Sequence, residues 1–145
     1  MIPKFRAWDV HNKKMLVVND ICNLFWENTF FECYELVPDP KGKREYELIN
    51  HRIDFEDCVL MQSTGLFDKN GKEIFEDDVV KSTWFNDYDD CVGYRKEGTV
   101  VYRNGYFGIE YPGDVEKGYS PTILDFAVSV EIIGNIHQNP ELLEG

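Results

Sequence analysis

The chain has 145 residues, enough for one ordinary domain or for two small subdomains that share a core. Its 15 basic and 27 acidic side chains give a formal net charge of −12, which disfavours nonspecific binding to nucleic acid because the surface repels phosphates. With 43% hydrophobic and 14% aromatic residues, the composition favours a packed, β-rich core and excludes disorder as the default.

The acidic charge has two interpretations. The first is that the negative charge keeps the protein soluble in a crowded cytoplasm. The second, more specific one is that the surface imitates the charge of DNA and so binds a host nucleic-acid-binding protein. The second interpretation predicts carboxylates arranged in rows along one surface.

The cysteines and the N-terminus bear on the compartment. The four cysteines, Cys22, Cys33, Cys58 and Cys91, form no Cys-x-x-Cys pair, which excludes the zinc-finger and thioredoxin spacings. The opening residues 1–6 lack the apolar segment of a signal peptide, and no apolar run is long enough to span a bilayer. We therefore expect a soluble cytoplasmic protein with free thiols and no membrane partner.

The first half of the chain predicts a β-hairpin followed by further strands. Alternation over Lys4–Asp9, a polar turn at His11–Lys14 and a return at Met15–Val18 are typical of a hairpin. Three later segments have strand composition, and a loop with two prolines separates the first two of them. These predicted strands are Phe30–Val37, Arg44–Ile49 and Cys58–Gln62.

Asn70-Gly71 stands between two short apolar runs, and the strand that contains Val79 and Val80 follows. Asn-Gly is the dipeptide best able to hold the two positive φ angles of a two-residue hairpin. The sequence therefore predicts a tight two-residue turn here, and it offers no nucleophile, metal ligand set or phosphate-binding loop at this place.

A second hairpin is predicted around Asn104-Gly105. A two-residue turn there places Tyr102 opposite Phe107 and Val100 opposite Ile109, all on one face. The other face carries side chains that tolerate water. Those residues are Thr99, Arg103, Tyr106 and Glu110.

The last segments predict one strand and one turn of helix. Val128–Ile133 has strand composition and is ended by Gly134. Asn139 at a cap position and Pro140 at the first helical position predict a short helical turn at the C-terminus.

Four blocks of the chain, in order, resemble the YopX family of phage and prophage proteins. They are Lys4–Asp9 with Lys14-Met15, Gln62–Val80, Gly98–Tyr102 and Glu131–Leu142. The resemblance implies a mainly β protein with an SH3-type barrel in a bacterium that is infected by, or carries, a phage, and it implies no established activity. One departure is Asp77-Asp78, where the family usually has Gly-Asp; Asp is among the few other residues that tolerate a positive φ.

The expected fold is mainly β. Residues 59–145 form an SH3-type β-barrel with a short C-terminal helical turn, and residues 1–58 form an additional N-terminal β-rich segment that packs on the barrel. The two parts are also compatible with one continuous domain.

The sequence contains few candidates for chemistry. Asp87, Asp89 and Asp90 carry hard oxygen ligands for a divalent cation, but the glycine and distal glutamate of a calcium loop are absent, which favours a solvated loop. A nuclease site would pool Asp87 with Asp77 and Asp78 around magnesium, and nothing positive supports that.

The histidines and the thiols favour structural roles. The three histidines, His11, His51 and His137, lie far apart and predict surface or hydrogen-bonded residues. Cys58 lies in an apolar run and predicts a packed, inert thiol.

The best candidate for a binding patch is Trp84, Phe85 and Tyr88, three aromatic residues in a polar stretch that follows a predicted strand. They can line a groove for a peptide, or they can cover the end of the core. We predict a phage-encoded, noncatalytic protein-interaction module without a cofactor, whose partner is a host or phage protein, with a homo-oligomer as a further possibility. The alternatives are an acidic DNA-mimicking inhibitor and, with least support, a metal-dependent hydrolase.

Overall fold

A computed structural model of the chain describes residues 4–24, 28–38, 46–85, 93–127 and 129–143. Over these residues the chain is mainly β, and the strands pair antiparallel in two sheets. The strands are β1 (Phe5–Asp9), β2 (Lys14–Cys22), β3 (Phe30–Pro38), β4 (Tyr46–Asp54), β5 (Cys58–Phe67), β6 (Glu73–Phe75), β7 (Asp78–Phe85), β8 (Gly93–Arg103), β9 (Tyr106–Glu110), β10 (Thr122–Ile123) and β11 (Ser129–Asn135). One short α-helix, α1 (Asp114–Lys117), and 3₁₀ turns at Phe55–Asp57, Leu124–Phe126 and Pro140–Leu143 complete the described elements.

The chain divides into two compact units, residues 2–62 and residues 63–145. In the first unit the strand order is β4-β3-β2-β1, followed by the beginning of β5. Apolar side chains that alternate along these strands reach one face, where burial removes them from water. The core of this unit consists of Ala7, Leu16, Phe31, Cys33 and Ile53.

The predicted N-terminal hairpin is confirmed, since Trp8 lies opposite Met15 in the ladder between β1 and β2. The buried carboxylate of Asp9 closes its turn by accepting the backbone N–H groups of His11 and Asn12 at 3.0 and 3.1 Å and the Asn12 side-chain amide at 2.8 Å. Burial alone would raise the pKa of Asp9, but these hydrogen bonds hold it below its usual value. The turn is thus built around an acidic side chain.

In the second unit the last part of β5 pairs with β6, and the remaining strands form a sheet in the order β10-β9-β8-β7-β11. Its ladders leave β10 and β11 as the two edges, so the described strands form open sheets and the expected closed barrel is not confirmed. The core of this unit consists of Ile74, Val80, Val100, Ile109 and Leu124.

The Asn104-Gly105 hairpin has the predicted register. Val100 lies opposite Ile109 and Tyr102 opposite Phe107. Asn104 and Gly105 have φ angles of 57° and 86°, the pair of positive values that a type I′ turn requires. Val100 and Ile109 are fully buried.

The predicted two-residue turn at Asn70-Gly71 is wrong. Only Gly71 of this pair has a positive φ, 81°, and the Gly71 N–H donates to the Asp68 carbonyl at 3.0 Å. The Asp68 N–H donates to the Lys72 carbonyl at 2.7 Å. The loop therefore has three residues, with an ordinary turn followed by a left-handed glycine, which is the next most common hairpin geometry.

The carboxylate of Asp68 explains this longer loop. One oxygen accepts the N–H groups of Asn70 and Lys72, both at 2.9 Å, and the other accepts the N–H of Ile132 in β11 at 3.1 Å. Burial alone would raise the pKa of Asp68, but the three backbone donors lower it below its usual range. The turn is shaped around a buried anion.

Asp77, where the chain departs from the family pattern, has the left-handed backbone conformation that Asp is one of the few non-glycine residues to tolerate. Asp77 has a φ of 69°. Its N–H donates to the Val100 carbonyl at 2.8 Å, and its own carbonyl accepts the Ile136 N–H at 3.0 Å. The position is held by hydrogen bonds from two segments, which compensates the cost of the conformation.

The short C-terminal helical turn is confirmed as the 3₁₀ turn at Pro140–Leu143. The side-chain oxygen of Asn139 accepts the Asn135 N–H at 3.3 Å, and the Leu142 N–H donates to the Asn139 carbonyl at 3.1 Å. Gly134 permits this approach, because a Cβ there would lie 2.5 Å from the Asn139 side-chain oxygen. The segment folds back onto the end of β11.

The two Asn-Gly dipeptides give a matched test of turn geometry. Asn104→Ala is expected to lower the free energy of unfolding by about 1–2 kcal/mol, because alanine disfavours the left-handed conformation. Asn70→Ala is the control and should change it by less than about 0.5 kcal/mol, since Asn70 has no positive φ. Urea denaturation followed by circular dichroism measures both; equal effects would contradict the assignment of the two turns.

Asp68→Asn is expected to lower the free energy of unfolding by about 1–3 kcal/mol at neutral pH, because an amide nitrogen cannot accept the backbone N–H groups. The pKa of Asp68 is lower in the folded state than in the unfolded state. The extra free energy of unfolding of the wild type over the variant is therefore fully present above the unfolded pKa, and it is lost as the pH falls through the folded pKa. Urea denaturation over an acidic pH series measures it. Asp125→Asn is the control, because Asp125 is exposed. If the free energies of unfolding of Asp68→Asn and wild type differed by the same amount at every pH, the proposed role of the Asp68 carboxylate would be refuted.

Candidate partner-binding site

The sequence-predicted patch lies at the end of β7. Trp84 and Phe85 occupy its last two positions, where the ladder pairs them with Tyr94 and Gly93 of β8. Tyr88, the third predicted residue, lies outside the described residues, as do Asp87, Asp89, Asp90 and Cys91. The described part of the patch is therefore one end of the β7–β8 ladder.

A groove lies two ladder rows from Trp84. We call it the tyrosine groove; its volume is about 560 Å³, within the roughly 300–1,000 Å³ of small-ligand sites. β8 supplies one side, and the loop from β9 through α1 to β10 supplies the other. Its lining includes two lysines, two acids, two tyrosines and a proline, namely Lys96, Glu97, Tyr111, Pro112, Asp114, Lys117 and Tyr119.

Tyr111 is anchored to the sheet through its hydroxyl. The Tyr111 hydroxyl and the Ser82 hydroxyl are 2.7 Å apart, and the Ser82 hydroxyl donates to the Lys96 carbonyl at 3.1 Å. Ser82 is fully buried in β7, opposite Lys96. The ring of Tyr111 is thus held at a defined place on the groove floor.

The loop that carries Tyr119 is held by Asp114. Its carboxylate accepts the Tyr111 N–H at 2.9 Å, and its carbonyl accepts the Tyr119 N–H at 2.9 Å. Gly113 and Gly118, with φ angles of 90° and 72°, allow the chain to enter and leave α1. Short-range hydrogen bonds therefore hold both tyrosines of the groove.

Two lysines lie against the tyrosine rings. The Lys96 ammonium is 5.1 Å from the centre of the Tyr111 ring, and the Lys117 ammonium is 5.9 Å from that of Tyr119. Both distances are within the range of cation–π attraction. The groove therefore places one positive charge near each of its two tyrosine rings.

These groove residues could not be identified from the sequence, because isolated tyrosines near prolines and glycines resemble an ordinary loop. One sequence signal is present at this place. Two tight turns, each with a tyrosine beside proline or glycine, flank a short polar segment; they are Tyr111-Pro112-Gly113 and Gly118-Tyr119-Ser120-Pro121. Turn chemistry predicts a loop there, but it does not predict that the two turns face one groove.

The histidines have the hydrogen-bonded roles that the sequence predicted. Each lies within hydrogen-bond distance of one carboxylate, which fixes the imidazole ring. Burial alone would raise the pKa of Glu35, but hydrogen bonds from Lys14 and His51 lower it. The pairs are His11 with Asp57 at 3.0 Å, His51 with Glu35 at 2.9 Å and His137 with Asp77 at 2.9 Å.

The described thiols are free, as predicted. Burial is the main cause that raises the pKa of Cys33 and of Cys58 to about 11, and the nearby charges of Asp57 and Asp9 add to it at Cys58. Both thiols therefore stay protonated at neutral pH, and the low reactivity expected of Cys58 stays a prediction.

The described ranges contain no group of three or more histidine, cysteine, aspartate or glutamate side chains placed to hold a metal ion. Over the same ranges, no helix is long and apolar enough to cross a membrane.

Comparison with known proteins settles the family. The family model described as YopX protein matches residues 4–144. The chain belongs to the YopX family. Among solved structures it is similar to protein EF1440 from Enterococcus faecalis, with 32% sequence identity, 99% coverage of each chain and a TM-score of 0.57. No curated protein matches the chain. The assignment confirms the resemblance carried by the four sequence blocks and adds no activity to it.

The anchoring of Tyr111 gives a testable expectation. Tyr111→Phe should lower the free energy of unfolding by about 1 kcal/mol, because it removes the hydroxyl that bonds to the buried Ser82 hydroxyl. Thermal unfolding at neutral pH measures the loss. Tyr119→Phe is the control, since Tyr119 is 64% exposed; a loss as large in the control would argue against the anchor.

Proposed function

We propose that this YopX protein is a phage-encoded, noncatalytic module that binds a protein partner, from the host or the phage, in the bacterial cytoplasm. The tyrosine groove supports this most strongly. Its aromatic side chains are half-buried or exposed, yet hydrogen bonds hold the loop that carries them. Rigid aromatic residues provide contact area to a partner at a low cost in conformational entropy.

The proposed site includes both the groove and the predicted patch. Trp84 lies two residues beyond Ser82 on β7, and Ser82 is bonded to the groove residue Tyr111. Phe85 and Tyr88 continue the same segment of sequence. A partner that covers the groove would therefore lie two ladder rows from Trp84.

We also propose that residues 63–145 are a variant of the SH3 type. β7, β8 and β9 form a meander, and a 3₁₀ turn at Leu124–Phe126 precedes the last strand, β11. This sequence of elements supports the proposal, and SH3-like modules commonly bind peptides in aromatic grooves.

The described carboxylates favour a binding module over a DNA mimic or a hydrolase. Six acidic side chains each lie within 4.0 Å of a lysine, an arginine or a histidine, so these carboxylates are paired with other side chains of this protein. Asp9 and Asp68 are buried and bonded to backbone N–H groups. These acids stabilise the fold, and the described residues supply no observation that favours metal-dependent hydrolysis.

The test compares recovery of a partner by three tagged proteins from lysate of infected host cells. Wild type and Tyr102→Ala should retain the same specific protein, and Tyr119→Ala should retain about tenfold less, because removing an aromatic anchor typically costs over 1 kcal/mol. Tyr102 is a matched control, being 49% exposed and outside the groove. Circular dichroism checks that all three are folded. A partner lost with Tyr102→Ala alone, or no specific partner, would overturn the proposal.

A further inference from the structure

We infer that the tyrosine groove binds an extended peptide segment that carries proline next to an acidic residue. This inference rests on the proposed function and names the chemistry of the partner. It is carried by three properties of the groove: its ring surfaces, its rigidity and the placement of its charges.

The ring surfaces fit an extended backbone. Tyr111 and Pro112 form one apolar surface, and Tyr119 forms another across the same groove. Proline-containing segments adopt an extended helix before they bind, and they dock against aromatic rings in grooves of this kind.

The rigidity of the groove lowers the cost of binding a short segment. Asp114 holds Tyr111 through its carboxylate and Tyr119 through its carbonyl. Since the loop is ordered before binding, little conformational entropy is lost when a ligand contacts the rings. A short peptide can therefore bind measurably.

The charges of the groove select an acidic neighbour for the proline. The Lys96 and Lys117 ammonium groups lie 5.1 and 5.9 Å from the centres of the two tyrosine rings, and both lysines line the groove. The groove carboxylates have other partners: Glu97 lies 4.0 Å from the Lys81 ammonium, and Asp114 accepts a backbone N–H. The Lys117 ammonium is therefore the group that would attract a ligand carboxylate, with less repulsion from the groove carboxylates than their formal charges suggest.

Single-stranded nucleic acid also stacks on aromatic rings beside lysines. The net charge of −12 disfavours it, because each nucleotide adds a phosphate while a peptide needs only one carboxylate. At physiological salt, charges beyond about 8 Å are largely screened, so one carboxylate interacts mainly with the nearby lysines. The observations therefore favour the peptide.

The experiment titrates the isotope-labelled full chain with four probes and follows backbone amide shifts by NMR. The probes are a short proline-rich peptide with a central glutamate, the same peptide with lysine for glutamate, the same peptide with glycine for proline, and an oligothymidylate. We expect the first peptide to shift amides of the groove, and both altered peptides to bind at least about fivefold more weakly.

Two variants test the contacts. Tyr119→Ala should weaken the glutamate peptide about tenfold, and Lys117→Glu should reverse the preference in favour of the lysine peptide. Tyr102→Ala should change neither. No groove shift with the glutamate peptide, or a stronger shift with oligothymidylate, would overturn the inference.

The result is distinguishable from the test of the proposed function. A cellular partner that depends on Tyr119, together with no peptide binding, would mean that the partner docks as a folded surface. The inference would then fail and the proposed function would stand. If the glutamate peptide binds at the groove but no specific cellular partner is found, the inference about the groove would stand and the proposed function would fail.

Discussion

A single buried carboxylate connects the hairpin that opens the second unit to the strand that closes it. Asp68 accepts two N–H groups of its own turn and the N–H of Ile132, which is 64 residues further along the chain. The Lys69 N–H donates to the Val130 carbonyl beside it. Because β11 also pairs with β7, the β5–β6 hairpin and the edge of the sheet are positioned by the same few hydrogen bonds. A buried carboxylate that accepts three N–H groups is compensated for its loss of water, whereas a buried carboxylate without hydrogen-bond donors would lower the free energy of unfolding.

The same arrangement recurs with local partners in the first unit, where Asp9 closes the turn between β1 and β2. Part of the acidic composition of this chain therefore serves the fold. Net charge alone suggested solubility or DNA mimicry, because a charge count does not distinguish a carboxylate in water from one that is surrounded by backbone N–H groups.

The two Asn-Gly turns show how far local sequence determines structure. At Asn104-Gly105 the flanking residues alternate cleanly, so propensity and burial favour the same register, and the observed turn is the predicted one. At Asn70-Gly71 the dipeptide is the same, but Asp68 and its contact with Ile132 favour a longer loop. The dipeptide is the same in both hairpins, and the contact between Asp68 and Ile132 accompanies the three-residue loop at Asn70-Gly71.

Some residues of the candidate site could be predicted from the sequence, and others could not. Trp84 and Phe85 could be found in sequence because aromatic residues in a polar stretch are conspicuous. Tyr111 and Tyr119 could not be linked, since what brings them to one groove is the bond between Ser82 and Tyr111 together with the turn held by Asp114. These interactions join residues of separate elements, and no periodicity in the chain records them.

The amino-acid sequence by itself determined the mainly β character, most of the strands, the register around Asn104-Gly105, the positive φ at Asp77 and membership of the YopX family. These features follow from alternation, from turn chemistry and from the steric limits of single residues, all of which are local. Only the tertiary structure decided the loop at Asp68, the open edges of the sheet and the tyrosine groove. Each of these depends in part on contacts between residues distant in sequence, such as the Asp68–Ile132 and Ser82–Tyr111 hydrogen bonds and the order of the strands, which exist only once the chain has folded.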